Sequence, residues 1–259
     1  MTTHRLAPPE KSCEASREIR KDDTVSEPRR VTVPQPIDAI LDPEHDLENR
    51  ILAQLGPDTM LMVGDNPSLA KMPERPTVLD FFRLRFRKLA VNHMLQSARN
   101  ARKAGHDEKI VLACLLHDVA LGGLIRADHG YWGAQMIAPY VDEEVAWAVK
   151  HHQSLRYFAD PAVNYEYPAA YVRFWGADYK IPGYLQRDYE AARQHRWYGS
   201  ARAITLFDLY SFEENVEIDP SEFEDVVGRH FKQPEEGLGF DNSPVAHMWR
   251  SIIWPTNFL

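Results

Sequence analysis

An apolar run over residues 110–116 ends in a histidine and an aspartate, His117 and Asp118. Within EKIVLACLLHDVA, Ile110, Cys114 and His117 recur at i, i+4, i+7, the spacing of one helical face. The spacing predicts a buried helix whose last residue points an imidazole into the core, with a carboxylate next to it. Both groups are good ligands for a divalent metal. An isolated His-Asp pair reads more simply as a hydrogen-bonded core histidine beside a helix-terminal aspartate. The rest of the chain argues against that simpler reading, because four more candidate ligands lie in apolar, helical contexts.

The first is His93. Residues 78–104 predict one long helix with Phe82, Phe86, Leu89, His93 and Ser97 on a single face. Gly105 stops it, after Arg99, Arg102 and Lys103 in its last turns. Arg83, Arg85, Arg87 and Lys88 read as a solvated face, whereas an unpartnered ring at His93 is costly inside an apolar stripe. His129 opens a later helix in which Gly133 and Ala134 allow a neighbour to come close. In VDEEVAWAVKHHQSLRYF, Val145, Ala148, Val149 and His152 share a face, and His151 points about 100° away. His152 is therefore the inward residue. Finally, residues 189–215 read as one long or kinked helix. Ala203, Phe207, Leu209 and Tyr210 form its apolar side, interrupted by Asp208. A carboxylate there needs a cation or a metal.

The 259 residues divide by pattern into three parts. Residues 1–44 are polar, charged and rich in proline, and read as a loosely packed or disordered tail. Residues 45–214 hold the helices just described. They begin with a short helix over 42–56, in which Asp42 and Pro43 start the first turn and Gly56 stops it. An aromatic stretch over 160–185 follows the His152 segment and could be a helix over 165–175 or a lid. Residues 215–259 read as a helical extension on the same domain, with Ser221 and Glu224 as a capping pair. No β-hairpin signal is present, so the fold class is all-α. A net charge of −8 argues against nucleic-acid and anionic-membrane partners. No apolar run reaches the ~20 residues of a membrane span, and the N-terminus lacks a secretory apolar segment. The two cysteines, Cys13 and Cys114, suit a reducing cytoplasm without a disulfide.

Histidines and carboxylates without a cysteine cluster suit iron, manganese or zinc rather than a structural zinc site. Six ligands exceed what one catalytic metal takes from protein. Two metals bridged by Asp118 is the economical arrangement, and paired metals can polarise a substrate oxygen or, as iron, activate dioxygen.

The order His, His-Asp, His, His, Asp resembles that of the HD-domain superfamily of helical metalloproteins. Within it the chain looks most like the mixed-valent diiron oxygenases, of the myo-inositol and phosphonate-degrading types. Three segments carry the resemblance over residues 78–214: NHMLQSARNARKAGHDEKIVLACLLHD, HGYWGA with VKHHQSLRYFADPAVNY, and ITLFDLYSF. It implies an HD-domain helical bundle around a dinuclear metal site, most simply two iron ions in divalent or mixed-valent form, with manganese or zinc as alternatives. His93, His117, Asp118 and Asp208 would be ligands, with Asp118 bridging at the catalytic centre, and His129 and His152 would complete the second metal. Arg156 would stand where the phosphonate enzymes have an anion-contacting lysine. The lysine that soon follows the His-Asp pair in inositol oxygenase is absent, since VALGG follows here. Arg83 and Phe86 occupy the places of the tyrosine and glutamate of the phosphonate enzymes. The resemblance thus implies a small polar or anionic substrate, shared with neither of these two types. The alternative it leaves open is a metal-dependent phosphohydrolase.

Overall fold

Capping and close packing, rather than long uninterrupted helices, set the architecture. The computed structural model describes residues 69–209 and 211–255, so the expected tail over 1–44 and helix over 42–56 lie outside the described residues. Among the described residues the chain is helical, with one isolated bridge between Asp160 and Tyr165 in place of any strand. It is an all-α bundle, and no described helix is long and apolar enough to cross a membrane.

The helix expected over 78–104 is two helices, α1 (Val78–Leu84) and α2 (Lys88–Lys103). Thr77 starts α1 through a reciprocal capping box with Asp80. The break has a physical cause. Arg85 leaves the helical register and donates from Nε to the Ile253 carbonyl at 3.0 Å, and the Arg87 amide donates to the Gly122 carbonyl at 3.2 Å. Phe86 then turns inward against Gly122 and Gly123, where a Cβ on Gly123 would sit 3.0 Å from the Phe86 ring. The break also shifts the helical phase, so Leu89, expected inside, is 73% exposed.

Helix α3 (Glu108–Leu116) starts on the Asp107 side chain, which accepts from the Lys109 amide at 2.8 Å. Its residues from Val111 to Leu116 are all buried. His117 caps α3, and Asp118, at φ −110° and ψ 20°, forms the corner into α4 (Val119–Gly123). The turn at Gly122-Gly123 is thus the end of a helix rather than a simple break.

Helix α5 (His129–Ile137) packs on α6 (Glu143–Leu155). The tight approach falls at Gly130, not at Gly133 as the sequence suggests. A Cβ on Gly130 would lie 2.8 Å from the Lys150 carbonyl oxygen, whereas one on Gly133 meets only ordinary contacts. Gln153 of α6 meets the start of α5 by accepting from the Gly130 amide at 3.0 Å.

In the aromatic stretch a 3-10 turn (Pro161–Val163) precedes a short helix, α7 (Ala169–Trp175), which begins after Pro168 and buries none of its residues. The helix expected over 189–215 is again two, α8 (Gly183–Ala192) and α9 (Tyr198–Asp208), separated by a turn in which the Trp197 amide donates to the His195 ring. Helix α9 lies along α6, α2 and α3. In the C-terminal segment Asp219, not Ser221, is the cap. It starts a 3-10 turn that leads into α10 (Glu224–His230). Helix α11 (Ala246–Ile253) sends fully buried Trp249 against Phe81, with ring centroids 4.8 Å apart. Its indole N–H donates to the Met136 carbonyl at 3.0 Å, which satisfies its polar end.

Candidate metal centre

The ends and inner faces of five helices bring all six sequence-predicted ligands to one point. His93 comes from α2, His117 and Asp118 from the corner after α3, His129 from the first residue of α5, His152 from α6 and Asp208 from the last residue of α9. All six are buried. Of the adjacent pair, His152 faces the cluster, while the Nδ1 of His151 lies 3.0 Å from the Asp188 carboxylate.

Each of the four rings is fixed from behind. Nδ1 of His93, His117, His129 and His152 lies 3.1, 2.7, 3.2 and 2.6 Å from the carbonyl oxygens of Ser211, Cys114, Arg126 and Val149. A carbonyl only accepts, so each Nδ1 carries the hydrogen, and in a neutral imidazole Nε2 then presents a lone pair. That is the tautomer a metal needs, held by the kind of outer partner that metal-binding histidines have.

The Nε2 atoms converge on Asp118 from two sides. Oδ2 lies 3.8 Å from His93 and 3.7 Å from His117, and Oδ1 lies 3.3 Å from His129 and 3.7 Å from His152. Asp208 adds an oxygen 3.1 Å from Nε2 of His93 and 3.9 Å from that of His117. In each of two groups, His93-His117-Asp208 and His117-Asp118-His152, one potential ligand atom per residue lies within 4.8 Å of the others. This spread suits bonds of about 2 Å to a shared ion.

The two halves balance their charge differently. Burial pushes the His93 imidazolium down, but the Asp208 carboxylate more than offsets this and leaves its pKa above the ordinary value. A protonated His93 donating to Asp208 can therefore satisfy that half without an ion. The other half has no such internal solution. Asp118 Oδ1, His129 Nε2 and His152 Nε2 are buried with no hydrogen-bond partner among the described residues. Three orphaned acceptors around one point are the donor set that a cation completes.

Burial holds His117 and His129 down to about 4. Asp118 stays well below the usual carboxylate range: burial works against this, and His117, His152 and His129 outweigh it. Near neutral pH His117 and His129 are thus neutral and Asp118 is ionised, whereas His93 is drawn toward its protonated form. A pH dependence follows for metal-stripped protein. Between pH 6.5 and 4 the unfolded chain takes up protons at His117 and His129 that the folded chain refuses, so stability falls as pH falls. His93 works in the opposite sense. Each refusing histidine is worth roughly 2 kcal/mol at pH 5, so the thermal midpoint in chelator should be several degrees lower at pH 5 than at pH 7. An equal or higher midpoint at pH 5 contradicts the assigned charge states.

A cavity of about 720 Å³ opens onto the cluster, reaching His93, Asp118 and Asp208. Arg156, the C-cap of α6, lines it. Its guanidinium lies 5.4 Å from the ring centres of both Tyr157 and Tyr171, and its Nε is buried without a hydrogen-bond partner. Asp160, the acid that the sequence offers as its alternative partner, is engaged elsewhere. It accepts from the Tyr198 hydroxyl at 2.6 Å and lies 3.8 Å from Arg202. Several cavity residues were not legible as a group in the sequence: Arg87, Arg126, Tyr171, Phe174 and Phe212. Phe212 stacks on the His93 ring at 4.1 Å.

No curated protein matches the chain. Residues 90–170 match the family model of the HD domain, a span that includes His93, His117, Asp118, His129, His152 and Arg156 but not Asp208. Residues 90–170 are thus similar to an HD domain, and the described residues carry a helical bundle with a buried histidine-aspartate cluster in keeping with that similarity.

Proposed function

We propose that the chain is a dinuclear-metal enzyme of the HD type, an oxygenase that uses dioxygen to attack a small anionic organic molecule. The observation that carries this reading is the position of Asp118, with each carboxylate oxygen turned to its own pair of imidazoles. A single-metal site would not need His129 and His152, whose Nε2 atoms have no hydrogen-bond partner among the described residues. Iron is the metal of this reading, and when bound as a pair it supplies dioxygen activation and polarises substrate oxygens. The chain's own residues do the rest. Arg156 offers two parallel N–H donors to an anionic group, and Tyr157 and Tyr171 hold its guanidinium plane. Phe212 covers the His93 ring and keeps water from that side.

A second reading, metal-dependent hydrolysis of a phosphoester with manganese or zinc, is favoured by the three arginines at the cavity, Arg87, Arg126 and Arg156. Guanidinium groups match phosphate oxygens in geometry and charge. The deciding experiment is metal analysis of protein purified without added metal, with electron paramagnetic resonance after partial reduction. Two irons per chain and a signal from a coupled mixed-valent pair are expected. Two manganese or zinc ions with phosphoesterase activity decide for the hydrolase, and one metal per chain removes the dinuclear reading.

A further inference from the structure

The cavity at the metal cluster combines features that restrict what can occupy it. Three of the large apolar side chains most exposed on the described surface, Leu89 (73%), Phe174 (76%) and Phe212 (57%), all line this cavity. A single exposed apolar residue needs no explanation, but three at the mouth of one pocket that opens on buried ligands point to an apolar ligand surface. Leu121 and Leu209 continue the apolar lining inward.

The polar groups are just as selective. Apart from the candidate metal ligands, the polar lining consists of Arg87, Arg126, Arg156 and Tyr171. Among the described residues, no serine, threonine, asparagine, glutamine or lysine lines the cavity. A polyol entering it would lose water from several hydroxyls and find guanidinium donors but few acceptors for its own O–H groups, which costs free energy at each unmatched one. An anionic head group has a partner available in the Arg156 guanidinium, which lines the cavity and, among the described residues, leaves its Nε without a hydrogen-bond partner.

We infer that the substrate of this site is an amphiphilic anion, a carboxylate or phosphoryl head on an apolar chain or ring, with the head at Arg156 and the apolar body along Leu89, Phe174 and Phe212. The inference rests on the metal-enzyme reading only for the word substrate. The binding selectivity follows from the cavity lining whatever the metal count.

The test is calorimetric titration of the full chain, as purified with its metals, using defined probes: octanoate, octyl phosphate, acetate, inorganic phosphate, octanol and myo-inositol. Octanoate or octyl phosphate should bind at least ten-fold more tightly than acetate, inorganic phosphate, octanol and inositol. The stronger of the two names the head group. Arg156→Ala should weaken the preferred anion ten-fold or more and leave octanol unchanged. Phe174→Ser, a substitution at an exposed residue that the fold does not need, should weaken it several-fold. No measurable binding of either octyl anion at millimolar concentration overturns the inference, as does binding of inositol or the short anions equal to that of the octyl anions. Metal content measured on the same samples separates the two ideas. One metal per chain with intact octyl-anion selectivity removes only the dinuclear reading, and two metals without selectivity removes only this inference.

Discussion

Asp118→Asn is expected to empty the whole centre, whereas His129→Ala or His152→Ala should empty half of it. Asp118 is the residue whose two oxygens face both groups of imidazoles, at 3.3–3.8 Å. An amide in its place keeps the volume but removes the negative charge and turns one oxygen into a donor. On the Oδ1 side, that donor meets His129 and His152 and satisfies them as hydrogen-bond acceptors instead of as ligands. Metal binding should therefore fall by far more than the 10–100-fold typical of changes to groups behind the ligands. Asp208→Ala should weaken the His93-His117 side first, because Asp208 lies near those two rings. Metal per chain, measured after gel filtration of each variant, checks the pattern. If Asp118→Asn retains one full equivalent while His129→Ala loses everything, Asp118 is not the shared ligand.

The largest expected loss of stability lies away from the centre, at Arg202. This arginine on α9 is 1% exposed. It donates to the Leu155 carbonyl at 3.0 Å and to the Tyr198 hydroxyl at 3.1 Å, lies 3.8 Å from Asp160, and stacks over Tyr165 at 4.8 Å. Tyr165 in turn donates to the Arg156 carbonyl at 2.8 Å. Arg202→Ala removes the partner of a largely buried carboxylate and leaves a void as well. Breaking such a pair costs about 3–5 kcal/mol, which for a domain of this size lowers the thermal midpoint by roughly 10 °C. Thermal melts of the metal-loaded proteins measure it. A drop of only a degree or two would mean that the Asp160 loop relaxes without loss. Asp160→Asn in the Arg202→Ala background should then recover part of the stability, because it removes the stranded charge.

The contrast between Asp208 and Arg202 shows what the sequence could reveal. Both are charged residues in the same apolar helix, six positions apart. Asp208 stood out because a carboxylate has no apolar stem with which to reach solvent, so its burial demanded a partner. Arg202, between Ala201 and Ala203, gives no such signal, since long cationic side chains commonly extend to water. Its partners are set by the return of the 160–165 loop, a non-local feature that no periodicity encodes. The convergence of His93, His117, His152 and Asp208 was legible because each sat in phase with apolar neighbours on its own helix. The same logic failed at Leu89. There the chain breaks at Arg85 for the sake of the Ile253 and Gly122 carbonyls, contacts with residues more than thirty positions away, and the helical phase restarts. The cavity was the least legible feature, because Arg87, Arg126, Tyr171 and Phe212 come from four separate segments and meet only after folding.

Three of the four histidines, His117, His129 and His152, fasten their rings to a carbonyl three residues back in their own chain segment. The lever arm between backbone and Nε2 is therefore short and locked. A ring tied to its own turn has almost no rotamers left to lose, so an ion arriving at it meets little conformational resistance. The same tie converts helix position directly into ligand position. A shift of α5 or α6 by a few tenths of an ångström is not absorbed by side-chain rotation but reappears undiminished at the Nε2 tips. Gly130, which seats α5 against the backbone of α6, thus works as a spacer: the thickness of that one contact sets how far apart His129 and His152 stand.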